Sequence, residues 1–284
     1  MLMPANFVST APSATIMSEP LVLVSQPQNG IQIITFNRPK AGNALAMAMY
    51  HAVTKALKEA ATNDAVKAVV ITGKGKYFST GADVAEASKN AMSGAGEESL
   101  IQGLKDGPVA LTQAMIEFPK FVIAAVNGPV VGYPAGLLGT FDLVLVSENA
   151  SFQVPFFHLG ICPEGASSLG IARDIGVKRY TEWLLSNRVV KAKEMLESGL
   201  ACGKLYPAEN FIDNVIADLT RGVKATPMSS VLVSKKLLRA PDLEEYRKTN
   251  PREFEALAAQ FREGTVIKRF AAVMMGLEKK KSKM

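Results

Sequence analysis

Glu164 is the side chain in this sequence with the surroundings of a proton-transfer group. It stands in Cys162-Pro163-Glu164-Gly165-Ala166-Ser167-Ser168, directly after an apolar segment containing Phe152, Phe156, Phe157, Leu159 and Ile161. Apolar surface displaces water from a carboxylate and penalises its charged form. The pKa then rises, which makes the group a candidate general base. A glutamate at the mouth of a short helix can also be no more than a dipole partner on the surface. A second chemical signal lies upstream. The apolar run Val122 to Val126 closes on Asn127-Gly128-Pro129, and Gly132, Gly136 and Gly139 then surround Tyr133-Pro134. This reads as a buried strand, a glycine-rich turn and a helix with Pro134 in its first turn. The N-terminus of such a helix offers unpaired N–H groups and suits a developing oxyanion. Glycines in this density can equally serve turns and close packing alone.

Other polar residues carry weaker signals. Arg38 and Lys40 are cations in the loop Asn37 to Asn43. Gly81-Ala82-Asp83 allows a tight backbone approach at the start of a helix near Asp83. Gly73-Lys74-Gly75-Lys76 lacks the spacing of a P-loop. His158, Cys162 and His51 read as packing residues, too few and too scattered for a zinc site. Cys162 and Cys202 suggest no disulfide framework and hence a reducing compartment.

These residues need a frame. Strands are expected at Leu21–Val24, Ile31–Phe36, Ala68–Thr72 and Tyr77–Ser79, with an Asn29-Gly30 turn between the first two. Asn43 should N-cap a helix from Ala44 to about Ala61, buried through Leu45, Met49, Val53 and Leu57. A helix over Leu100–Phe118 should be interrupted at Gly107-Pro108. Shorter helices should follow at about Gly165–Gly176, Lys178–Leu185 and Lys191–Gly199. From Pro207 the pattern is helical. One helix starts at Pro227, with Val231, Val233, Leu237 and Leu238 opposite Lys235, Lys236 and Arg239. Another follows an Asn250-Pro251 cap and runs from Glu255 to Phe270, with Phe254 just ahead of it. The chain has 284 residues, 48% hydrophobic and 20% charged, with net charge +6. That composition supports a large core and an anionic ligand. The aromatic residues do not interleave with the basic ones as on an RNA-recognition surface, so no nucleic acid is expected. No apolar run reaches membrane-spanning length.

The segments VNGPVVGYPAGLLGTFDLVLVSENASF, HLGICPEGASS, NRPKAGNAL and KYFSTGAD together resemble the crotonase (enoyl-CoA hydratase/isomerase) superfamily. More narrowly, they resemble the peroxisomal 3,2-enoyl-CoA isomerases. The resemblance implies an α/β fold, a ClpP-like spiral of ββα units with a C-terminal helical region for trimerisation or lid formation. It places a leader at 1–19, the spiral core at 20–206, the helical region at 207–278 and a basic tail at 279–284. It assigns the Ala82 and Tyr133 N–H groups to the thioester oxygen and Glu164 to catalysis. Arg38, Lys40, Ala41, Ala44, Thr80, Gly81, Ala82, Asp83 and Val84 would hold substrate and its coenzyme A. Phe156 and Leu137 would line the acyl pocket. Hydratases of the family hold water between two glutamates, at positions where this chain has Gly136 and Phe156. The implied reaction is therefore a double-bond shift from 3-enoyl-CoA to trans-2-enoyl-CoA, with one glutamate moving a proton from C2 to C4. No metal or redox cofactor is implied, and coenzyme A belongs to the substrate. Expected partners are a fatty enoyl-CoA, further copies in a homotrimer or dimer of trimers, and a peroxisomal import receptor reading Ser282-Lys283-Met284. Without that import the location would be cytoplasmic. Another crotonase reaction, such as hydration, thioester hydrolysis or a secondary-metabolite isomerisation, stays open, as does an RNA-binding relative.

Overall fold

The computed structural model describes residues 19–83, 86, 96–266 and 268–269. Almost all of the expected leader, Val84, part of the expected helix near Asp83, Ile267, Phe270 and the Ser282-Lys283-Met284 tail lie outside the described residues.

The strands are Val22–Val24 (β1), Ile31–Phe36 (β2), Ala68–Gly73 (β3), Phe121–Val126 (β4), Pro129–Val131 (β5), Leu143–Ser147 (β6), Ser151–Gln153 (β7), Val190–Lys191 (β8) and Leu205–Tyr206 (β9). The helices are Met47–Thr62 (α1), Gly96–Leu104 (α2), Ala110–Ile116 (α3), Tyr133–Leu137 (α4), Phe156–Leu159 (α5), Gly170–Ile175 (α6), Val177–Ser186 (α7), Ala192–Ser198 (α8), Phe211–Val223 (α9), Met228–Arg239 (α10) and Leu243–Arg262 (α11).

A six-stranded sheet has the order β1-β2-β3-β4-β6-β9. Only the β1–β2 pair is antiparallel. Every residue of β3 is buried, as suits a parallel strand covered on both faces. Val69 and Ile71 point into the main core with α1, whereas Ala68 and Val70 point to the opposite face beneath Phe211 and Val215 of α9. β5, β7 and β8 form a second, smaller sheet. The chain thus places β4 in the large sheet, β5 in the small one, and then α4. It repeats that step with β6, β7 and α5, which gives the expected spiral of ββα units.

Several local expectations change. Tyr77–Ser79 is no strand; only Ser79 pairs, through a single parallel bridge to Val130. α1 starts at Met47, and Asn43 does not cap it. Asn43 is instead fully buried with φ 55°. Its side chain accepts the Arg38 N–H and donates to the Lys74 and Tyr77 carbonyls, which locks the loop. The Met47 N–H donates to the Glu86 carboxylate at 2.8 Å. The interruption expected at Gly107-Pro108 is present, and it takes a helical form. A wider π-helical turn over Lys105–Val109 joins α2 to α3, and Tyr133 and Thr112 hydroxyls donate to the Pro108 carbonyl. Residues 165–169 form tight turns, and the helix expected there begins at Gly170.

The C-terminal helices depart further. α11 runs straight through Pro251, because Asn250 is buried and donates to the Val109 carbonyl and Gln113 side chain. The tertiary contact outweighs the local stop signal. α10 buries only Val231 of its expected apolar face. Val233, Leu237 and Leu238 face outward, while Lys235 is buried. Lys235 and Arg239 both donate to the Asp142 carboxylate, which also accepts the Val122 N–H. Burial of a lysine requires such a partner, so the ion cluster sets which face of α10 docks. His51 and His158 are exposed, so the packing role expected of them falls away.

Candidate active site

The site forms where the two sheets and the C-terminal helices meet. Ser79 takes the register of β5: its N–H donates to the Pro129 carbonyl, and its own carbonyl accepts the Val131 N–H. Beyond the Ser79–Val130 bridge, Gly81 and Gly132 lie side by side, the Cβ position of Gly132 being 3.7 Å from the Gly81 Cα; Ala82 and Tyr133 are the next residues on the two chains. Gly81 and Gly132 precede them with φ of 108° and 67°. These are conformations that a side chain resists, and they turn the following N–H groups out of the ladder. Ala82 bridges Leu45 through its neighbours, with Leu45 N–H on the Gly81 carbonyl and Asp83 N–H on the Leu45 carbonyl. No protein acceptor for the Ala82 or Tyr133 N–H is found among the described residues. Tyr133 is the first residue of α4, so the helix dipole adds to its donor.

The Tyr133 side chain has its own anchor. Its hydroxyl donates to the Pro108 carbonyl at 2.8 Å and lies 3.0 Å from the Thr112 hydroxyl. Burial pushes its pKa up, so it stays a neutral donor. This ties the backbone donor to the π-turn.

Glu164 and Tyr133 line the same narrow cleft. Leu104, Pro108, Val109 and Thr112 line one side; Glu253, Phe254 and Leu257 of α11 line another. Glu164 is partly exposed, yet the protein around its carboxyl is dense enough to penalise the charged form. Burial first, and the Glu253 charge second, push its pKa up to about 8. Glu253 is itself raised to about 7 by burial, against the opposing effect of the Ser168 and Ala166 N–H groups. The Cys162 thiol is pushed up to about 11, mainly by burial, and so stays protonated. A carboxylate set among apolar side chains, in the same cleft as the Tyr133 residue with its free N–H, can take a proton next to a carbonyl whose oxygen that N–H receives.

Gly136 explains why only one carboxylate stands free here. A Cβ on Gly136 would lie 2.6 Å from the Glu164 carbonyl oxygen. No side chain fits there while the Glu164 loop keeps its place.

The loop expected to grip coenzyme A does come to this side of the molecule. Thr80 N–H donates to the Gly42 carbonyl, bringing Arg38 to Ala44 alongside Thr80 to Asp83. Arg38 is already engaged: one guanidinium nitrogen donates to the Ala44 carbonyl at 2.7 Å and to Asp83 at 2.8 Å. Lys40 and Ala41 are exposed on the short 3-10 turn Pro39–Ala41. Phe156 and Leu137 are buried behind the Glu164 loop and do not line the cleft. Sequence reasoning missed Glu253, Asn250 and the cleft face of the π-turn. The apolar spacing of Phe254 and Leu257 marks that face of α11, but nothing marks Glu253 as polar cargo on it. Among the described residues no cluster of three or more His, Cys, Asp or Glu could hold a metal ion. No described helix is long and apolar enough to cross a membrane.

Comparison with known proteins adds to this geometry. A family profile described as enoyl-CoA hydratase/isomerase matches residues 26–282. The chain is 35% identical to human enoyl-CoA delta isomerase 2 over 84% of its own length and 59% of that protein. It thus spans little more than half of that relative. It is 33% identical to mouse enoyl-CoA delta isomerase 3, peroxisomal, over 81% of its length and 70% of that protein. Among solved structures, an enoyl-CoA hydratase/isomerase from Pseudoalteromonas atlantica T6c superposes with a TM-score of 0.79 at 28% identity. The match covers 90% of this chain and 98% of that one.

Proposed function

This chain belongs to the enoyl-CoA hydratase/isomerase family, and within it we propose an isomerase that moves a double bond from position 3 to position 2 of an enoyl-CoA. One observation carries this reading: a single free carboxylate, Glu164, shares its cleft with the Tyr133 donor, while Gly136 leaves no room for a second acid from α4. Glu164 takes a proton from C2. The negative charge moves onto the thioester oxygen as a dienolate, held by the Ala82 and Tyr133 N–H groups. The same carboxyl returns the proton at C4, and the double bond settles between C2 and C3. Loss of one such donor costs about 3–4 kcal/mol in barrier. Glu253 is no replacement for the missing hydratase acid, because both its oxygens already accept backbone N–H groups.

The CoA end falls to the loop carrying Lys40 and Ala41, with Arg38 bracing it through Asp83. Association into a homotrimer or a dimer of trimers belongs to the same proposal. The outward apolar row Leu232, Val233, Leu237 and Leu238 of α10 supports it as an association surface. Residence in peroxisomes is also part of the proposal, on the location carried by the mouse relative's name. A fluorescent fusion followed with and without Ser282-Lys283-Met284 tests that part. The central test is conversion of cis- and trans-3-enoyl-CoA, followed at the 2-enoyl thioester chromophore. Steady formation of that chromophore is expected. Hydration or thioester cleavage without isomerisation would sink the proposal.

A further inference from the structure

The turn that carries Glu164 is held from outside. Ala166 sits in the left-handed region at φ 58°, a conformation that costs a residue with a side chain roughly 1–2 kcal/mol. Such strain persists only where the surroundings fix it. Here the fixing atoms come from α11. The Ala166 N–H donates to Glu253 Oε2 at 2.7 Å and the Ser168 N–H to Oε1 at 2.8 Å. The Cys162 N–H donates to Gln260 Oε1, also at 2.8 Å. From the other side, the α4 backbone at Gly136 abuts the Glu164 carbonyl. Glu253 is only 8% exposed and also lines the cleft with Glu164.

We propose that Glu253 is the positioning residue of the base: its carboxylate spans the Ala166 and Ser168 N–H groups, fixes the turn on which Glu164 stands, and sets a negative charge beside the Glu164 carboxyl. This rests on the reading of Glu164 as the base. The titratable groups that share this environment are Glu164 and Cys162 on the loop, Tyr133 on α4, Tyr180 on α7 and Tyr50 on α1. Of these, only Glu164 ionises in the working range; Glu253, raised to about 7, carries its charge near and above neutral pH, where the base reads it.

Two variants of the full chain separate position from charge. Glu253→Gln keeps length and removes charge, and its NH₂ must oppose one of the two N–H groups. Glu253→Asp keeps charge but is one methylene too short to span both. Both should lower kcat about 10–100-fold, the loss expected for a slightly misplaced group, with KM little changed. Both should speed hydrogen exchange in the 162–168 segment. Only Glu253→Gln should move the acid limb of kcat/KM to lower pH, because removing a neighbouring negative charge makes Glu164 easier to ionise. A purely structural role would lower stability in both and leave that limb unmoved. Wild-type kcat with unchanged exchange in Glu253→Gln overturns the proposal, as does an unmoved limb. If the wild-type protein turns over no 3-enoyl-CoA, the base reading fails, and the exchange measurement still decides whether Glu253 holds the turn.

Discussion

The two walls of the cleft are made of different material. One is backbone: Tyr133 stands in the lining, and Gly81, Gly132 and the Ser79–Val130 bridge turn its N–H and that of Ala82 out of the ladder. The other is side chain: the Glu164 turn keeps its shape through Glu253 and Gln260, which lie 87 and 98 positions from the residues they hold. A backbone wall depends little on the side chain at the donor and strongly on the glycines around it. A side-chain wall depends on charge, on pH and on docking of a distant helix. Perturbations should therefore fall into two groups with different signatures.

The largest effect belongs to Glu164→Gln, which keeps shape and removes the proton acceptor. Turnover should fall by about 10²–10⁴-fold with acyl-CoA binding retained; wild-type-like turnover would break the assignment. The same carboxyl gives the pH dependence. Its folded pKa of about 8 lies above the ordinary 4.5. The base must be ionised to act, so kcat/KM of the wild type should rise as pH passes through about 8. The folded state holds a proton that the unfolded chain releases, so the stability present below pH 4.5 is lost as pH climbs through about 8. Glu164→Gln should melt above the wild type at pH 9, by an amount worth a few kcal/mol, and show no such gain at pH 4. A melting difference independent of pH would contradict the buried ionisation.

Asp142 probes a region outside both walls. It is the common acceptor for buried Lys235 and for Arg239. Asp142→Ala leaves the lysine charge unpaired and should cost roughly 3–5 kcal/mol of stability. Lys235→Met should cost less, since it removes the charge as well. The turnover of the folded fraction should not change in either. A fall in kcat would mean that α10 reaches the cleft, and that the walls are not separable from it.

These tests follow how the molecule reads from its sequence. The backbone wall is legible because its causes are local. Glycine-rich turns, a buried strand ahead of them and Pro134 at the start of α4 all lie within a dozen residues of Tyr133. Glu164 is legible because apolar residues precede it in the chain. Glu253 is not, because its partners are N–H groups of a turn far away in sequence. The same reason explains α10. Its amphipathic pattern marks Leu237 and Leu238 for burial, but one aspartate on a neighbouring loop draws Lys235 and Arg239 inward instead. It also explains Pro251, whose local stop signal loses to the buried Asn250. Phe156 stays a core residue behind the base, since its position in the chain tells nothing of which side of the Glu164 loop it packs on.

Gly136→Ala joins the two walls in one experiment. The added Cβ would meet the Glu164 carbonyl at 2.6 Å, and the atom it meets is backbone, so the base loop must shift. A kcat loss of about 10²-fold is expected from that displacement. The Tyr133 donor, three residues earlier on the same helix, should keep its place. An alanine variant with unchanged kcat would show that the loop yields without moving the carboxyl, and would weaken the argument that Gly136 excludes a second acid.

The smallest effect is expected at Lys40, and it sharpens the contrast between a braced and an unbraced cation. Arg38 spends its guanidinium on Asp83 and the Ala44 carbonyl, and only a modest part of its side chain, 23%, is exposed. Lys40 is exposed, on a 3-10 turn, and makes no ion pair among the described residues. If it meets the phosphates of coenzyme A, it does so through solvent-screened attraction, worth roughly 0.2–1 kcal/mol. Lys40→Ala should therefore raise KM for the CoA ester by no more than about 5-fold, leave kcat alone and leave the melting temperature alone. The KM difference should shrink as salt rises, because the Debye length falls from about 10 Å at 0.1 M to about 3 Å at 1 M. Arg38→Ala should show the reverse pattern, with a lower melting temperature from the loss of its bonds to Asp83 and the Ala44 carbonyl. A KM effect of Lys40→Ala that survives high salt would mean a direct, desolvated contact, and the loop would then close over the nucleotide more tightly than its exposure indicates.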